Sequence, residues 1–193
     1  MSVYDSRRYA LVNRWDPQHL KTVDRLLPLA GGERVLEVGC GSGHLTKRLA
    51  ERGVDIVGID ANPNAREVAG SELVLHMQAE HLQFDDKEFD AVISVHAIEH
   101  IPPLDAAIAE IARVLQPQGR AIFIYPAEPI QGLYAIPTSV ILYRTPFKAR
   151  QVHCHKLWPS KLRRIVEPFG LTETHHEFNL WKSPQFVSVF TRT

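Results

Sequence analysis

Three shortages in this chain each remove a class of protein. Two cysteines, Cys40 and Cys154, occur among 193 residues. They give no disulfide framework, and Cys40 stands inside a glycine-rich loop that a bridge would obstruct. A reducing, cytoplasmic setting is the expectation. Charge of one sign is also missing: 22 Lys plus Arg balance 22 Asp plus Glu. No net field draws the protein to nucleic acid or to an anionic membrane. Apolar runs stay well short of the ~20 residues that a membrane-spanning helix needs. The opening Met-Ser-Val-Tyr-Asp-Ser-Arg-Arg-Tyr holds no apolar signal-peptide core. The sequence shows no internal repeat, low-complexity tract or linker. Its length suits a single domain, 1–193, with one core of ordinary size.

What is present is alternation of helix and strand signals. Asp16 is a plausible N-cap, Pro17 suits a first turn, and Leu20, Val23, Leu26 and Leu27 share one face, so Pro17 to Leu29 reads as a helix. Strands are expected at 34–38 and 55–60, with a helix at 43–52 between them. A short strand near 73–76 and a strand at 90–95 follow. A helix at about 104–115 has Leu104, Ile108, Ile111 and Leu115 on one stripe, and Pro117 and Gly119 mark its stop. A strand at 120–125 comes next. Such alternation predicts a doubly wound α/β fold, a mostly parallel sheet covered by helices on both faces. The end of the chain departs from the rhythm. Segments 171–180 and 185–191 are joined by Trp181-Lys182-Ser183-Pro184, too short for anything except an antiparallel hairpin.

Within the domain, four stretches divide the work. Residues 1–30 form an N-terminal strap and helix, and 31–125 form the alternating core. Residues 126–155 form an insertion, and 156–193 a C-terminal helix and the hairpin. The insertion holds Ile130, Leu133, Tyr134, Ile136, Val140, Ile141, Leu142 and Tyr143. An irregular stretch of about 30 residues after a sheet strand is usually functional. Two readings stay open: a helical excursion covering the sheet, or a wall or lid for an apolar substrate.

The richest signal is Val-Leu-Glu-Val-Gly-Cys-Gly-Ser-Gly at 35–43, with Asp60 nineteen positions past Gly41. A strand runs into a glycine loop, and an acid ends the next strand. This is the pattern of a nucleoside site. A dinucleotide fingerprint puts its third glycine after two spacers. Here that place is His44, and the third glycine comes one residue early. Glu37 precedes the loop, and a carboxylate there would repel a pyrophosphate. It suits a ligand carrying positive charge and an amino group.

These residues resemble a class I S-adenosylmethionine-dependent methyltransferase of the small-molecule type. Further matching segments come in the family's order: Val-Gly-Ile-Asp-Ala-Asn at 57–62, Ala79 to Ser94, Ile-Glu-His-Ile at 98–101 and Arg-Val-Leu-Gln-Pro-Gln-Gly-Arg at 113–120. The resemblance implies a seven-stranded sheet and S-adenosylmethionine as cofactor. It implies cofactor contacts from Glu37, Gly39, Cys40, Gly41, Gly43, Asp60, Ala61, Gln78, Ala79, Glu80 and His96. Asp60 would take the ribose hydroxyls. At the adenine amine the family often has Asp, whereas this chain has Gln78, which accepts without charge assistance. Glu80 or His81 is the alternative partner. In the N-terminal segment Tyr4, Tyr9, Arg14 and Trp15 either strap the sheet edge or close over the cofactor.

For chemistry, His96 follows the fourth strand and is the first candidate base. Its alternatives are a cofactor contact and a packed wall. His153 and His155, two apart in an extended segment, are candidates for the substrate side. His100 is expected to bond to nearby backbone. His153-Cys154-His155 lacks the second ligand pair of a structural zinc site, so no metal is expected. The acceptor is expected to be a small apolar or aromatic molecule, with O-methylation first and N- or C-methylation, including of a lipid head group, second. Ser-Val-His-Ala at 94–97 is not the Asn/Asp-Pro-Pro-aromatic motif of amino-methylating enzymes of DNA. A partner subunit that binds the cofactor without turnover is the reading from a different class. A monomer or homodimer is expected.

Overall fold

A computed structural model describes residues 16–29, 31–180 and 183–193. Tyr4, Tyr9, Arg14 and Trp15 lie outside the described residues, as do the first two residues of the hairpin connection. The chain runs α1 (Pro17–Leu26), β1 (Arg34–Val38), α2 (His44–Ala50), β2 (Asp55–Asp60), α3 (Ala65–Ala69), β3 (Val74–His76), β4 (Phe89–Val95), α4 (Leu104–Val114) and β5 (Leu115–Pro126). Then follow α5 (Ile136–Tyr143), α6 (Ala149–Val152), α7 (Pro159–Val166), β6 (Leu171–Asn179) and β7 (Gln185–Arg192).

The seven strands form one sheet in the order β3-β2-β1-β4-β5-β7-β6. The first five are parallel, and β7 lies antiparallel to both β5 and β6. The expected parallel sheet with a terminal hairpin is therefore what forms. Starting at β1, the chain winds outward to β3 and then returns to β4 on the other side of β1. That reversal opens a crevice beyond the carboxyl ends of β1 and β4, where ligands of open α/β sheets bind.

Side-chain alternation along the strands divides the core between the two faces. On one face Leu36, Val38, Val92 and Phe123 pack with Leu104, Ile108 and Ile111 of α4 and Leu162 and Val166 of α7. On the other, Val35, Ile93, Ile122 and Ile124 pack with Leu20, Val23 and Leu27 and with Leu45 and Leu49 of α2. Asp16 caps α1 as expected, accepting from Gln18 N at 3.0 Å.

Two local expectations change. Pro117 and Gly119 do not separate helix from strand: β5 begins directly after α4, at Leu115 opposite Phe89. The pairing register shifts between Phe89 and Ala91, and Gln118 takes a φ of 66°. The proline and glycine sit in this irregular entry, where missing ladder bonds cost little. Residues 126–155 are about half helical, and their helices pack chiefly on one another. Ala135, Ala149 and Val152 form a separate small core with Tyr143 against it. Val140 and Ile141 remain exposed.

Candidate functional site

The glycine loop is shaped by close contacts that exclude a side chain. A Cβ on Gly39, whose φ is 75°, would stand 2.2 Å from the Ala97 Cβ. A Cβ on Gly43, at φ 65°, would stand 2.6 Å from Val74 Cγ2. Both positions need glycine for backbone shape and for space. The Gly39 contact also places the segment after β4 directly against the loop, so His96 and Ala97 border the crevice.

Asp60 ends β2 beneath this loop. Its Oδ2 accepts from Gly41 N and its Oδ1 from Asn62 N, each at 2.8 Å. Burial raises its pKa, while those two backbone bonds pull the other way. One lone pair remains on each oxygen. Two acceptors at a fixed spacing suit the two hydroxyls of a ribose. The backbone of Met77 donates to the Asp60 carbonyl at 3.0 Å, which sets the turn from Gln78 to His81 beside the acid. Gln78 is exposed in that turn, Ala79 is buried and Glu80 is half-buried. Ala61 is exposed, with its carbonyl 3.2 Å from His76 Nε2. Cys40 and Glu37 also lie beneath the surface. Cys40 is buried, and burial followed by the charges of Glu37 and Asp60 pushes its thiol well up, so it packs rather than reacts. Glu37 is also buried and accepts from the Thr46 hydroxyl of α2. Burial drives its carboxyl up to about 7, against the Thr46 bonds and with a small push from Asp60.

The second half of the site follows β4. His96 has a φ of 50°, an unusual value for a residue with a side chain. Its Nε2 lies 3.1 Å from Gln185 Oε1, and its Nδ1 lies 3.6 Å from Glu99 Oε1. Burial acts to lower its pKa, but Glu99, Gln185 and Asp16 outweigh it and raise it. Glu99 sits on the 3-10 turn Ile98–His100 and is 1% exposed. Burial opposes its charge, yet His100, His96 and His153 together hold its carboxyl down to about 2.

The two histidines of the 153–155 segment part company. Both were expected on one side. His153 turns inward, its Nδ1 2.8 Å from Glu128 Oε1 and its ring 4.8 Å from that of His100. His155 Nε2 instead meets the carbonyls of Ile101 at 2.8 Å and Pro102 at 3.2 Å. The helix α6 ends at Val152, and His153 caps it with φ −93° and ψ 92°, so the two rings leave a helix end and not a regular strand. His100 Nδ1 donates to the Val152 carbonyl at 2.6 Å. Sequence reasoning missed Gln185 and Glu128. Gln185 opens the last strand, where nothing marked it. Glu128 had a faint signal, as an acid inside an apolar stretch.

Known proteins match this chain in the same regions. The methyltransferase domain family matches residues 36–123, the loop, Asp60 and the His96 segment included. An uncharacterized methyltransferase of Mycobacterium tuberculosis is 42% identical over 104 residues, 52% of this chain and 42% of its own length. This chain thus spans less than half of that relative. A ubiquinone biosynthesis O-methyltransferase of Alkalilimnicola ehrlichii is 32% identical over 172 residues, covering 78% of this chain and 70% of its own. A demethylmenaquinone methyltransferase of Tropheryma whipplei is 27% identical over 150 residues, 73% of this chain and 63% of its own. Among solved structures, the YcgJ protein of Bacillus subtilis superposes with a TM-score of 0.70 at 19% identity, covering 92% of this chain and all of its own. The [4+2]-cyclase SpnF gives a TM-score of 0.73 at 18% identity, covering 91% and 80%. At such identities the structures speak for the fold alone. The O-methyltransferase alignment, which spans most of both chains, carries the family. The chain belongs to the class I S-adenosylmethionine-dependent methyltransferases.

Proposed function

We propose that the protein methylates a hydroxyl on a small, largely apolar or aromatic acceptor. The observation that supports this most is the place of His96, held at the β1–β4 crevice by the contact of Ala97 with Gly39. S-adenosylmethionine supplies an electrophilic methyl group on a positively charged sulfur. The residues fit such a ligand: glycines without Cβ atoms, the paired acceptors of Asp60, and the Glu37 carboxyl behind the loop. Asp60 would hold the ribose, Gln78 with the Ala79–Glu80 backbone the adenine, and the loop the methionine portion.

Much of the rate enhancement in such a transfer comes from positioning. His96 adds a proton acceptor. Gln185 Oε1 accepts from Nε2–H, which leaves the lone pair at Nδ1. With the cofactor bound, Nδ1 would take the proton of the acceptor hydroxyl as its oxygen is methylated, and sulfur would keep the electron pair of the carbon–sulfur bond. The Glu99 carboxylate, 3.6 Å away, stabilises the imidazolium so formed. The apolar stretch 126–155 and the quinone-pathway names of two relatives support an apolar or aromatic acceptor.

Two variants test the two halves of this reading. Asp60→Ala should abolish S-adenosylmethionine binding detectable by calorimetry, and unchanged affinity would sink the cofactor assignment. His96→Ala should lower turnover ~10²-fold or more with cofactor affinity preserved. The assay uses labelled cofactor with a cell extract. A wild-type rate in that variant removes His96 from the chemistry.

A further inference from the structure

The residues that hold the acceptor side together make a second kind of site. Glu99, His100 and His153 offer ligand atoms that all lie within 4.8 Å of one another. Glu99 is 1% exposed, and neither of its carboxylate oxygens has a hydrogen-bond partner among the described residues. A buried carboxylate without hydrogen bonds is costly, and such groups are found paired or on a metal. The nitrogens nearest to it stand too far for hydrogen bonds: His100 Nε2 at 3.7 Å and His96 Nδ1 at 3.6 Å. Two ligands each about 2.1 Å from one tetrahedral ion stand roughly 3.4 Å apart. The 3.7 Å pair is already near that spacing, and small side-chain rotations bring the widest pair onto one ion.

The imidazoles are also oriented from behind. His100 donates Nδ1–H to the Val152 carbonyl at 2.6 Å. His153 donates Nδ1–H to Glu128 at 2.8 Å. Glu128 is itself fixed by Gly132 N at 2.9 Å and Tyr134 N at 2.8 Å. Each ring therefore carries its lone pair at Nε2. A backbone carbonyl behind one histidine and a carboxylate behind the other is the outer shell that metal-binding histidines have. Neighbouring His96 is oriented differently, with its Nε2 on Gln185. We propose that Glu99 and the Nε2 atoms of His100 and His153 bind one first-row divalent transition ion.

Two imidazoles and one carboxylate suit zinc, iron, cobalt or nickel better than magnesium or calcium. Three protein ligands leave at least one position for water or for an oxygen of the acceptor. The second of these occupants rests on the methyl-transfer reading, whereas the ion itself does not. The ligands come from two segments more than fifty residues apart, the turn after β4 and the end of α6. The ion would therefore also tie the insertion to the sheet.

The test titrates untagged, chelator-stripped protein with Co²⁺, followed by visible absorption, and with Zn²⁺, followed by calorimetry. Wild type should bind one equivalent. Glu99→Gln should weaken binding at least tenfold, and Glu128→Gln by ~10-fold or more through His153. His176→Ala, on the exposed face of β6, should bind as wild type does. No stoichiometric binding by wild type, or full affinity in Glu99→Gln, overturns the proposal and leaves a metal-free ion network. Circular dichroism checks folding. If Glu99→Gln does not fold, His153→Asn takes its place and undiminished binding there overturns the proposal equally. Metal binding needs no methyl donor. Stoichiometric Co²⁺ without methyl transfer would strike the proposed function alone, and transfer without metal binding would strike this inference alone.

Discussion

Glu37 and Glu99 are the same side chain at almost the same burial, 4% and 1% exposed, one on each side of the seam between β1 and the turn after β4. Their surroundings drive them apart. Burial alone raises both. For Glu37 burial wins: its donors are neutral, the Thr46 hydroxyl and backbone amide, and its neighbour Asp60 has the same sign, so it rises to about 7. Glu99 has three imidazoles around it and falls to about 2. Neighbours, not depth, decide the charge of a buried acid. On the proposed donor side, at the glycine loop, stands a carboxyl with no cation against it among the described residues. On the proposed acceptor side, after β4, stands a carboxylate with three imidazoles around it.

The contact of Gly39 with Ala97 holds these two regions against each other, so breaking it should have the largest effect. Gly39→Ala puts a methyl group 2.2 Å from the Ala97 Cβ and forces a φ of 75° on alanine. Overpacking costs about 1–3 kcal/mol and the left-handed backbone about 1–2 more. A loss near 4 kcal/mol in urea unfolding is expected, with loss of cofactor binding in whatever folds. A loss below about 1 kcal/mol would show that the seam opens without strain, and that His96 is not held where the mechanism needs it.

The two regions also differ in how far the sequence reveals them. The donor side is written locally: Gly39, Gly41, Gly43 and Asp60 follow one another along β1 and β2, and parallel pairing places them together. The strands and the hairpin were legible for the same reason, as periodicity and short connections act over a few residues. The acceptor side is assembled from distant pieces. Glu99 and His100 could be flagged as a pair, but His153 beside them, Glu128 behind His153 and Gln185 behind His96 come from an insertion and from the final strand. Those contacts depend on where α6 ends and how β7 inserts between β5 and β6. Neither is a local property, so the spacing of His153 and His155 pointed to the wrong pairing.

A pH series sharpens the contrast from the donor side. Glu37 is favoured in its protonated form by the fold, since its pKa there, about 7, exceeds the ordinary 4.5. The stabilisation is complete below the unfolded value and is lost as pH rises through the folded one. Cofactor-free protein should therefore lose about 3 kcal/mol of stability between pH 4.5 and 7 through this group. Glu37→Gln should flatten that part of the curve relative to wild type. Equal slopes in the two proteins would mean that water or a cation already reaches the carboxylate. A cationic ligand bound on the loop in front of Glu37 should reverse the effect by favouring the charged form. Calorimetry near pH 6, in buffers of different ionisation enthalpy, should then show a proton released on binding.

The smallest effect expected tests whether charge is needed all around the donor side. Gln78 is neutral and exposed, in a turn set beside Asp60 by the Met77–Asp60 backbone bond. Asp60 is an acid, and its oxygens are aligned by two backbone amides. If Asp60 bears the ribose and Gln78 merely accepts from the adenine amine, the two should differ in energy as charged and neutral hydrogen bonds do. A neutral bond is worth about 0.5–1.5 kcal/mol. Gln78→Ala should thus weaken S-adenosylmethionine about two- to tenfold, against the complete loss in Asp60→Ala. Gln78→Asp should recover or improve the affinity, because the carboxylate adds charge assistance to the same bond. A hundredfold loss in Gln78→Ala would exceed a neutral hydrogen bond and make the adenine an anchor beside the ribose. No change would move the adenine contact to Glu80 or to the backbone of the turn.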